Sequence, residues 1–418
     1  MGSKYRNSFF DTKREWSKYK DAVLGYYLRP YLQKVKEIKA NGARKPICVV
    51  DMFAGRGEFK TGEPGSPLII AEHLQELSKQ GHEVKLLCYE TYQDFYDHLV
   101  IALKPFPFAQ AVQKDCFSDI GSIAELASTH TMLLYIDPCD VVQLLLPKLN
   151  RVFEKVRQNS SVEALMVFMA RAFMRQAAWA RSVEIRLDES GVLDDPLVRE
   201  GEEDDKAMWL DALYDDAVVS QYAQSQRSQA LLNDIAGGNY WQAIVDDRTT
   251  HWDERVALLV DQYRQKLRSW FSLVEALPVR PDASPIPKYW IVFMSRYEPA
   301  FDLFNRAACD MVRAQDLNIR NKPGTLFAGM SNEAEAAAPQ VVDRAVKRTA
   351  KPLASFKWNE LRWRTCGNRN VGKFTDSEVN QSIKRLLKTG FLSGAVGDKV
   401  EEKKLLSTTE LLKSWADR

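Results

Sequence analysis

The stretch Ile47-Cys48-Val49-Val50-Asp51-Met52-Phe53-Ala54-Gly55-Arg56-Gly57 decides how the rest of the chain is read. Its first four residues are apolar without a break, which marks a strand buried on both faces. Asp51 ends that run with a hydrogen-bond acceptor. Gly55 and Gly57 carry no Cβ, so the backbone there can turn sharply and lie close to a ligand. A helix is expected from about Ser66. A glycine turn alone is a weak signal; three more acids at later strand ends give it weight.

Strands and helices alternate after it. Strand 1 is read as 46–52, strand 2 as 84–90, strand 3 near 108–113, strand 4 as 132–137 and strand 5 as 164–169, with helices at about 66–80, 92–103 and 140–157. Near-continuous apolar strands in βα alternation indicate a parallel sheet covered on both faces. Residues 172–265 break the pattern and read as a mostly helical insertion. The sheet resumes with Trp270–Val279 and Lys288–Met294, joined by a proline-rich link that favours a hairpin. The fold class expected is therefore α/β, a doubly wound, mostly parallel seven-stranded sheet with a helical insertion and a C-terminal winged-helix-like domain.

The organisation expected is an N-terminal helical extension (1–45), a Rossmann-like core (46–171), the insertion (172–268), the end of the core with its hairpin strands (269–319), a linker (320–350) and the winged-helix-like unit (351–418). Residues 8–40 read as one helix, since Trp16, Tyr19, Val23, Leu24, Tyr27, Leu28, Tyr31 and Leu32 recur at spacings of three and four. In the last unit Thr375 and Glu378 form a helix start. Val379, Ile383, Leu386 and Leu387 make its apolar stripe, and Gly390 stops it. This is the expected recognition helix, 376–389, with the wing at 391–407.

Composition is that of a globular protein, 45% apolar and 27% charged over 418 residues, enough for two domains. No apolar run approaches the ~18 residues of a membrane span, and no signal-peptide core opens the chain. Six scattered cysteines (48, 88, 116, 139, 309, 366) include no CxxC pair, so neither zinc nor a disulfide framework is indicated, and a reducing cytoplasmic setting is expected. The net charge of +2 conceals segregation: Leu187–Asp216 carries 12 acidic and 2 basic residues, Ala345–Arg418 carries 16 basic and 8 acidic. That asymmetry points to an electrostatically directed partner of the C-terminal part.

Four acids fall at or just past strand ends: Asp51, Glu90, Asp115 and Asp137. In a doubly wound sheet ligands bind beyond the carboxyl ends of the strands, so these acids are expected to converge on one crevice. A single acid after a strand is commonly a helix N-cap; the set of four argues for a nucleoside pocket. A carboxylate at the end of strand 2 suits a ribose diol, which is Glu90. Asp115, with Cys116 and Phe117, is placed for an adenine amino group. Arg171 and Ser295-Arg296 are read as able to reach the same mouth, or else as surface ion-pair residues.

The order Asp51-x-Phe53-x-Gly55-x-Gly57 resembles the first motif of Rossmann-like S-adenosylmethionine-dependent methyltransferases. That resemblance implies S-adenosylmethionine as cofactor, held by Asp51, Phe53, Gly55, Gly57, Glu90, Asp115 and Cys116. It also implies a terminal antiparallel hairpin strand. Asp137-Pro138-Cys139-Asp140 lies where such enzymes place reacting groups, which makes Asp137, Pro138 and Cys139 the candidate catalytic residues. It resembles the Asp-Pro-Pro-Tyr motif of enzymes that methylate exocyclic amines, with Cys139 in place of the second proline and Asp140 in place of the stacking aromatic. Pro138-Cys139 equally resembles the nucleophile pair of cytosine-C5 methyltransferases, in which a thiolate attacks the ring. Those enzymes require a carboxylate just after strand 5, where this chain has Ala170-Arg171-Ala172-Phe173 and no acid.

The feature order resembles, more closely, the three-Cys-motif partner protein family of bacteria and phages. The matching pieces are Lys20, Leu24 and Tyr27-Leu28, then Val50–Gly57, Gly65-Ser66-Pro67-Leu68, Tyr135–Pro138 and Phe293–Arg296. The resemblance implies a methyltransferase-like fold, a winged helix and a partner carrying a three-cysteine motif. Nucleic acid is the second partner expected, gripped by Lys384, Arg385, Lys388, Lys403 and Lys404. Two other functions are weighed. One is a non-catalytic adaptor on the same fold. The other is a metal-dependent nuclease, for which the acids look too dispersed.

Overall fold

The computed structural model describes residues 12–158, 161–188, 221–280, 287–320, 337–394 and 405–415. The acidic stretch and the tip of the expected wing fall largely outside these.

The first helix, α1, runs Glu15–Val35. Its carboxyl end stops short of the expected 40 because Lys39–Ala40 (β1) and Ala43–Arg44 (β2) fold back as a small hairpin, and residues 8–11 of the expected helix lie outside the described residues. Asn41-Gly42 turns it, with φ of 52° and 82°, the left-handed pair that a two-residue hairpin needs.

The central sheet is built from β3 (Ile47–Asp51), β4 (Val84–Glu90), β5 (Ala109–Gln113), β6 (Thr131–Ile136), β7 (Val162–Phe168), β8 (Leu273–Val279) and β9 (Tyr289–Ser295), in the order β5-β4-β3-β6-β7-β9-β8. The first five strands are parallel. β9 enters antiparallel between β7 and β8. This is the strand arrangement of the methyltransferase fold. Successive residues of one strand serve opposite cores, as a period of two requires. Val49, Leu133 and Tyr135 face the core of α1, α2 (Ser66–Lys79) and the later helix α10 (Glu298–Arg320). Val50, Met132 and Leu134 face the core of α4 (Ile120–Thr129), α5 (Leu146–Arg157) and the insertion. The remaining core helix, α3, is Gln93–Leu103.

The insertion is helical where described: α6 (Ala170–Asp188), α7 (Gln221–Ala236), α8 (Trp241–Asp246) and α9 (Trp252–Leu267). β8 begins at Leu273, three residues later than expected, because Trp270 and Phe271 close the turn after α9 and pack on Phe153.

The C-terminal unit has α11 (Pro339–Ala350), β10 (Ser355–Lys357), α12 (Trp358–Cys366), α13 (Asp376–Lys388), β11 (Leu392–Ser393), β12 (Leu405–Thr408) and α14 (Glu410–Lys413), with sheet order β10-β12-β11. The capping box at Thr375 and Glu378 is present. Residues 339–350, the end of a segment read as a linker that is helical in part, form a helix whose Val342, Val346 and Ala350 are buried in the unit's core. Arg362 pairs with Asp302 at 2.6 Å and Asn305 bonds the backbone of Gly372 and Phe374, so the unit is fastened to α10.

Candidate functional site

Leaving β3, the chain keeps bonding both neighbours: Met52 N–H donates to the Tyr135 carbonyl and Ala54 N–H to that of Tyr89. It then turns through Gly55 (φ 62°) and Gly57 (φ 83°). A Cβ on Gly57 would stand 3.1 Å from the Ala102 Cβ and 3.2 Å from Leu99 on α3. Gly65 N–H donates to the Gly57 carbonyl at 2.8 Å, which stitches the turn to the start of α2.

Asp51 is fully buried. It accepts the Ser66 hydroxyl at 2.7 Å and the Phe53 N–H at 3.3 Å. Burial pushes its carboxyl up to about 7; the Ser66 bond opposes that and the nearby Asp137 adds to it. Asp51 thus braces the glycine turn against α2 rather than facing an open hollow. Ser66 was not singled out from the sequence, although it sits in the Gly65–Leu68 motif.

Glu90 accepts the N–H groups of Thr91 (2.7 Å) and Tyr92 (2.8 Å), and that of Gly55. Its carboxyl is raised, chiefly by burial. It ties strand 2 to the same turn. Asp115 is exposed and caps Phe117 at 3.1 Å, with Cys116 buried beside it. The Phe117 ring meets Phe53 edge-on at 6.2 Å, and Lys148 stands 5.0 Å over its face.

Asp137 is paired with Lys20 of α1, the two side chains only 14% and 15% exposed. Burial disfavours the Lys20 charge, but Asp137 and then Asp21 outweigh it and raise the lysine's pKa. Lys13 pairs with the buried Asp21 at 2.6 Å and donates to the Pro64 carbonyl at 2.8 Å. Two lysines, Lys13 just ahead of α1 and Lys20 on it, are therefore set among Asp21, Asp51 and Asp137. Pro138 is buried and Cys139 exposed. Desolvation by the surrounding protein, with Asp137 next and Glu90 contributing, pushes the Cys139 thiol up to about 11.

The four acids therefore do not line one open crevice. Asp51 turns inward to Ser66, Asp137 is covered by Lys20, and Asp115 joins the group through Phe117 and Phe53. A cleft of about 360 Å³ lies at the amino end of the sheet, and one of about 370 Å³ lies on the outer side of the glycine turn, beside Arg56, Lys60 and His98. The reading of Ser295-Arg296 is also corrected. β9 runs antiparallel, so its end lies at the amino end of β7, where Arg296 donates to the Val156 carbonyl. Arg171 pairs with Asp253 at 2.6 Å. Among the described residues no group of three or more His, Cys, Asp or Glu is placed to hold a metal ion. No described helix is long and apolar enough to cross a membrane.

On α13, Lys384 and Lys388 are exposed. Arg385 is committed to Asp343, 2.7 Å away. Lys403 and Lys404 lie outside the described residues.

No protein-family model matches the sequence, and no curated protein matches it. Solved structures give distant likenesses. LPL1258 from Legionella pneumophila is 14% identical over 37% of this chain and 68% of its own, with a TM-score of 0.28. The plantazolicin methyltransferase BamL, solved with a triazolic desmethylPZN analogue and SAH, is 11% identical over 70% of this chain and 90% of its own, with a TM-score of 0.30. PKMT2 from Rickettsia typhi, solved with AdoHcy, is 10% identical over 93% and 94%, with a TM-score of 0.24. At such TM-scores these likenesses add nothing to what the strand order itself shows.

Proposed function

We propose that the protein is an S-adenosylmethionine-dependent methyltransferase acting on nucleic acid. The carrying observation is the glycine turn at the end of β3, clamped by Asp51 and Glu90, in a sheet whose β9 runs antiparallel between β7 and β8.

The charges around the turn suit such a cofactor. Lys13 pairs with Asp21 and Lys20 with Asp137, and Asp51, raised to about 7, is partly neutral, which leaves Glu90 as the carboxylate beside the turn for a cationic ligand. The backbone of Gly55–Gly57 would hold the methionine part. Glu90 would take the ribose hydroxyls on the acceptor sites its backbone partners leave over, since a carboxylate offers about four. Asp115, Cys116 and Phe53 would hold the adenine. When bound, the cofactor supplies an electrophilic methyl group. The chain's own part is to hold the acceptor in line with it. Asp137 would accept a hydrogen bond from an acceptor amino group, with Lys20 fixing the carboxylate's direction. The raised Cys139 thiol stays protonated near neutral pH, which argues against a thiolate attacking the acceptor.

The order helix, strand, two helices, two strands in the C-terminal unit supports a winged-helix reading, with α13 as the recognition helix. Lys384 and Lys388 would contact the phosphate backbone.

One observation favours a second reading. The Asp137 carboxylate is already engaged by Lys20, and Cys139-Asp140 stand where a stacking aromatic is expected. On that reading the fold serves as an adaptor, beside a partner bearing a three-cysteine motif. Methyl-transfer assays on DNA and RNA separate the two. Turnover abolished by Asp137→Ala supports the enzyme. Cofactor binding without turnover supports the adaptor, and turnover that Asp137→Ala leaves unchanged overturns the assignment of the site.

A further inference from the structure

The amino end of the sheet carries a cleft of about 360 Å³, within the range of small-molecule sites. It opens where β3, β4 and β5 begin. Its walls include Glu83, Lys85, Pro107, Phe108, Gln110 and His130. None of these belongs to the proposed cofactor site, which lies at the other end of the same strands.

The walls divide by chemistry. Phe108, half-buried and 6.0 Å from Phe106, gives with Pro107 a flat apolar side. The opposite side is basic. Lys85, on β4, and Lys45, just before β3, both act electrostatically on His130. Glu83, in the turn before β4, is the acidic group facing it. The Thr129 hydroxyl lies 2.8 Å from the His130 Nδ1, which leaves Nε2 for a ligand. Burial first, then the two lysines, lowers the His130 pKa from 6.5. Lys45 is lowered by burial as well. The Lys85 ammonium and the His130 imidazole thus stand together in the wall with the Glu83 carboxylate, and Lys45 adds positive charge from beside it.

We propose that this cleft binds a planar aromatic acid, its ring against Phe108 and Pro107 and its carboxylate between Lys85 and His130. The ring replaces water on an apolar wall. The carboxylate takes charge-assisted hydrogen bonds from groups that otherwise repel one another. Bound carboxylate favours the protonated imidazole, so binding takes up a proton and tightens as pH falls.

The test is calorimetric titration of the full chain with naphthoate, naphthyl methanol and acetate. Naphthoate is expected to bind saturably and at least about tenfold more tightly than either the neutral alcohol or acetate. Its affinity is expected to rise severalfold between about pH 8 and about pH 6. His130→Ala is expected to remove that pH dependence, and Lys85→Ala to weaken binding at least about fivefold. Lys85→Met keeps the side-chain stem and serves if Lys85→Ala does not fold. Absence of saturable binding, equal binding of naphthyl methanol, or affinity unchanged in both Lys85→Met and His130→Ala overturns the proposal. None of these outcomes bears on cofactor binding, because the probes carry no nucleoside.

Discussion

The two ends of the central sheet are opposites in charge and in closure. At the carboxyl end, Asp21, Asp51 and Asp137 are folded inward, and Lys13 and Lys20 are set among them. At the amino end, Lys85 and His130 line an open cleft with Glu83, and Lys45 acts electrostatically on His130 from beside it. The same parallel strands supply both. The difference comes from what lies across each end: α1 and the glycine turn cover one, and the short connections before β3, β4 and β5 leave the other bare. Each end thus suits a ligand of the opposite sign, and the covered end has to hold its charge out of water.

That contrast can be broken first at Lys20. Lys20→Ala leaves Asp137 largely buried without its partner, a loss of roughly 3–5 kcal/mol, read as a fall in chemical-denaturation stability. Lys20→Ala/Asp137→Ala removes both charges and is expected to recover most of that loss. Equal losses in the single and double variants would show that the pair does not brace α1.

The pH dependence comes next. Asp51 moves from 3.8 to about 7 on folding, and Glu163, which accepts the Tyr27 hydroxyl, from 4.5 to about 7, both through burial. An acid raised in the folded state binds more protons there. Its contribution is therefore most favourable below the unfolded value and is lost as pH rises toward about 7. For Asp51 the loss amounts to roughly 4 kcal/mol. Asp51→Asn is expected to gain on the parent chain as pH climbs from about 4 to about 7, and then to level off. A difference that does not vary with pH would contradict the buried carboxyl.

A backbone test sharpens the same end. Gly57→Ala meets both a positive φ and the 3.1 Å contact with Ala102, a combined cost of about 2–4 kcal/mol. Gly62→Ala shares the positive φ but meets nothing nearer than 3.9 Å, and should cost about 1–2 kcal/mol. Thermal melts give the ranking.

The smallest effects belong to α13. Lys384→Ala and Lys388→Ala should leave stability within about 0.5 kcal/mol. Each should also reduce the salt slope of nucleic-acid binding by roughly one. Arg385→Ala should instead lower the melting temperature, because Asp343 loses its partner.

Much of the architecture was readable locally. Ile47–Val50 and Met132–Ile136 are unbroken apolar runs, and strands buried on both faces need little else. The capping box at Thr375 and Glu378 is a local pattern, its two residues three positions apart. The site was readable only as positions. Lys20 meets Asp137 across 117 residues and Ser66 meets Asp51 across 15, and no local period encodes such contacts. The antiparallel hairpin strand was expected; its consequence, that β9 ends at the amino end of β7 and carries Arg296 away from the site, shows only in the sheet order. The helix at 339–350 left a signal, since Val342, Val346 and Ala350 repeat every four residues behind Pro339; the sequence reads there as a linker helical in part, but does not show that this stripe packs into the C-terminal core.

The central claim is that the clamped turn at Gly55–Gly57 holds a sulfonium cofactor between Glu90 and Asp137. Equilibrium binding of labelled S-adenosylmethionine to the full chain tests it most directly, alongside Gly55→Trp and Glu90→Ala. The account predicts saturable binding to the parent chain, none to Gly55→Trp, and binding weakened at least about tenfold in Glu90→Ala. A folded parent chain that binds none, or binding that survives both substitutions unchanged, would contradict it.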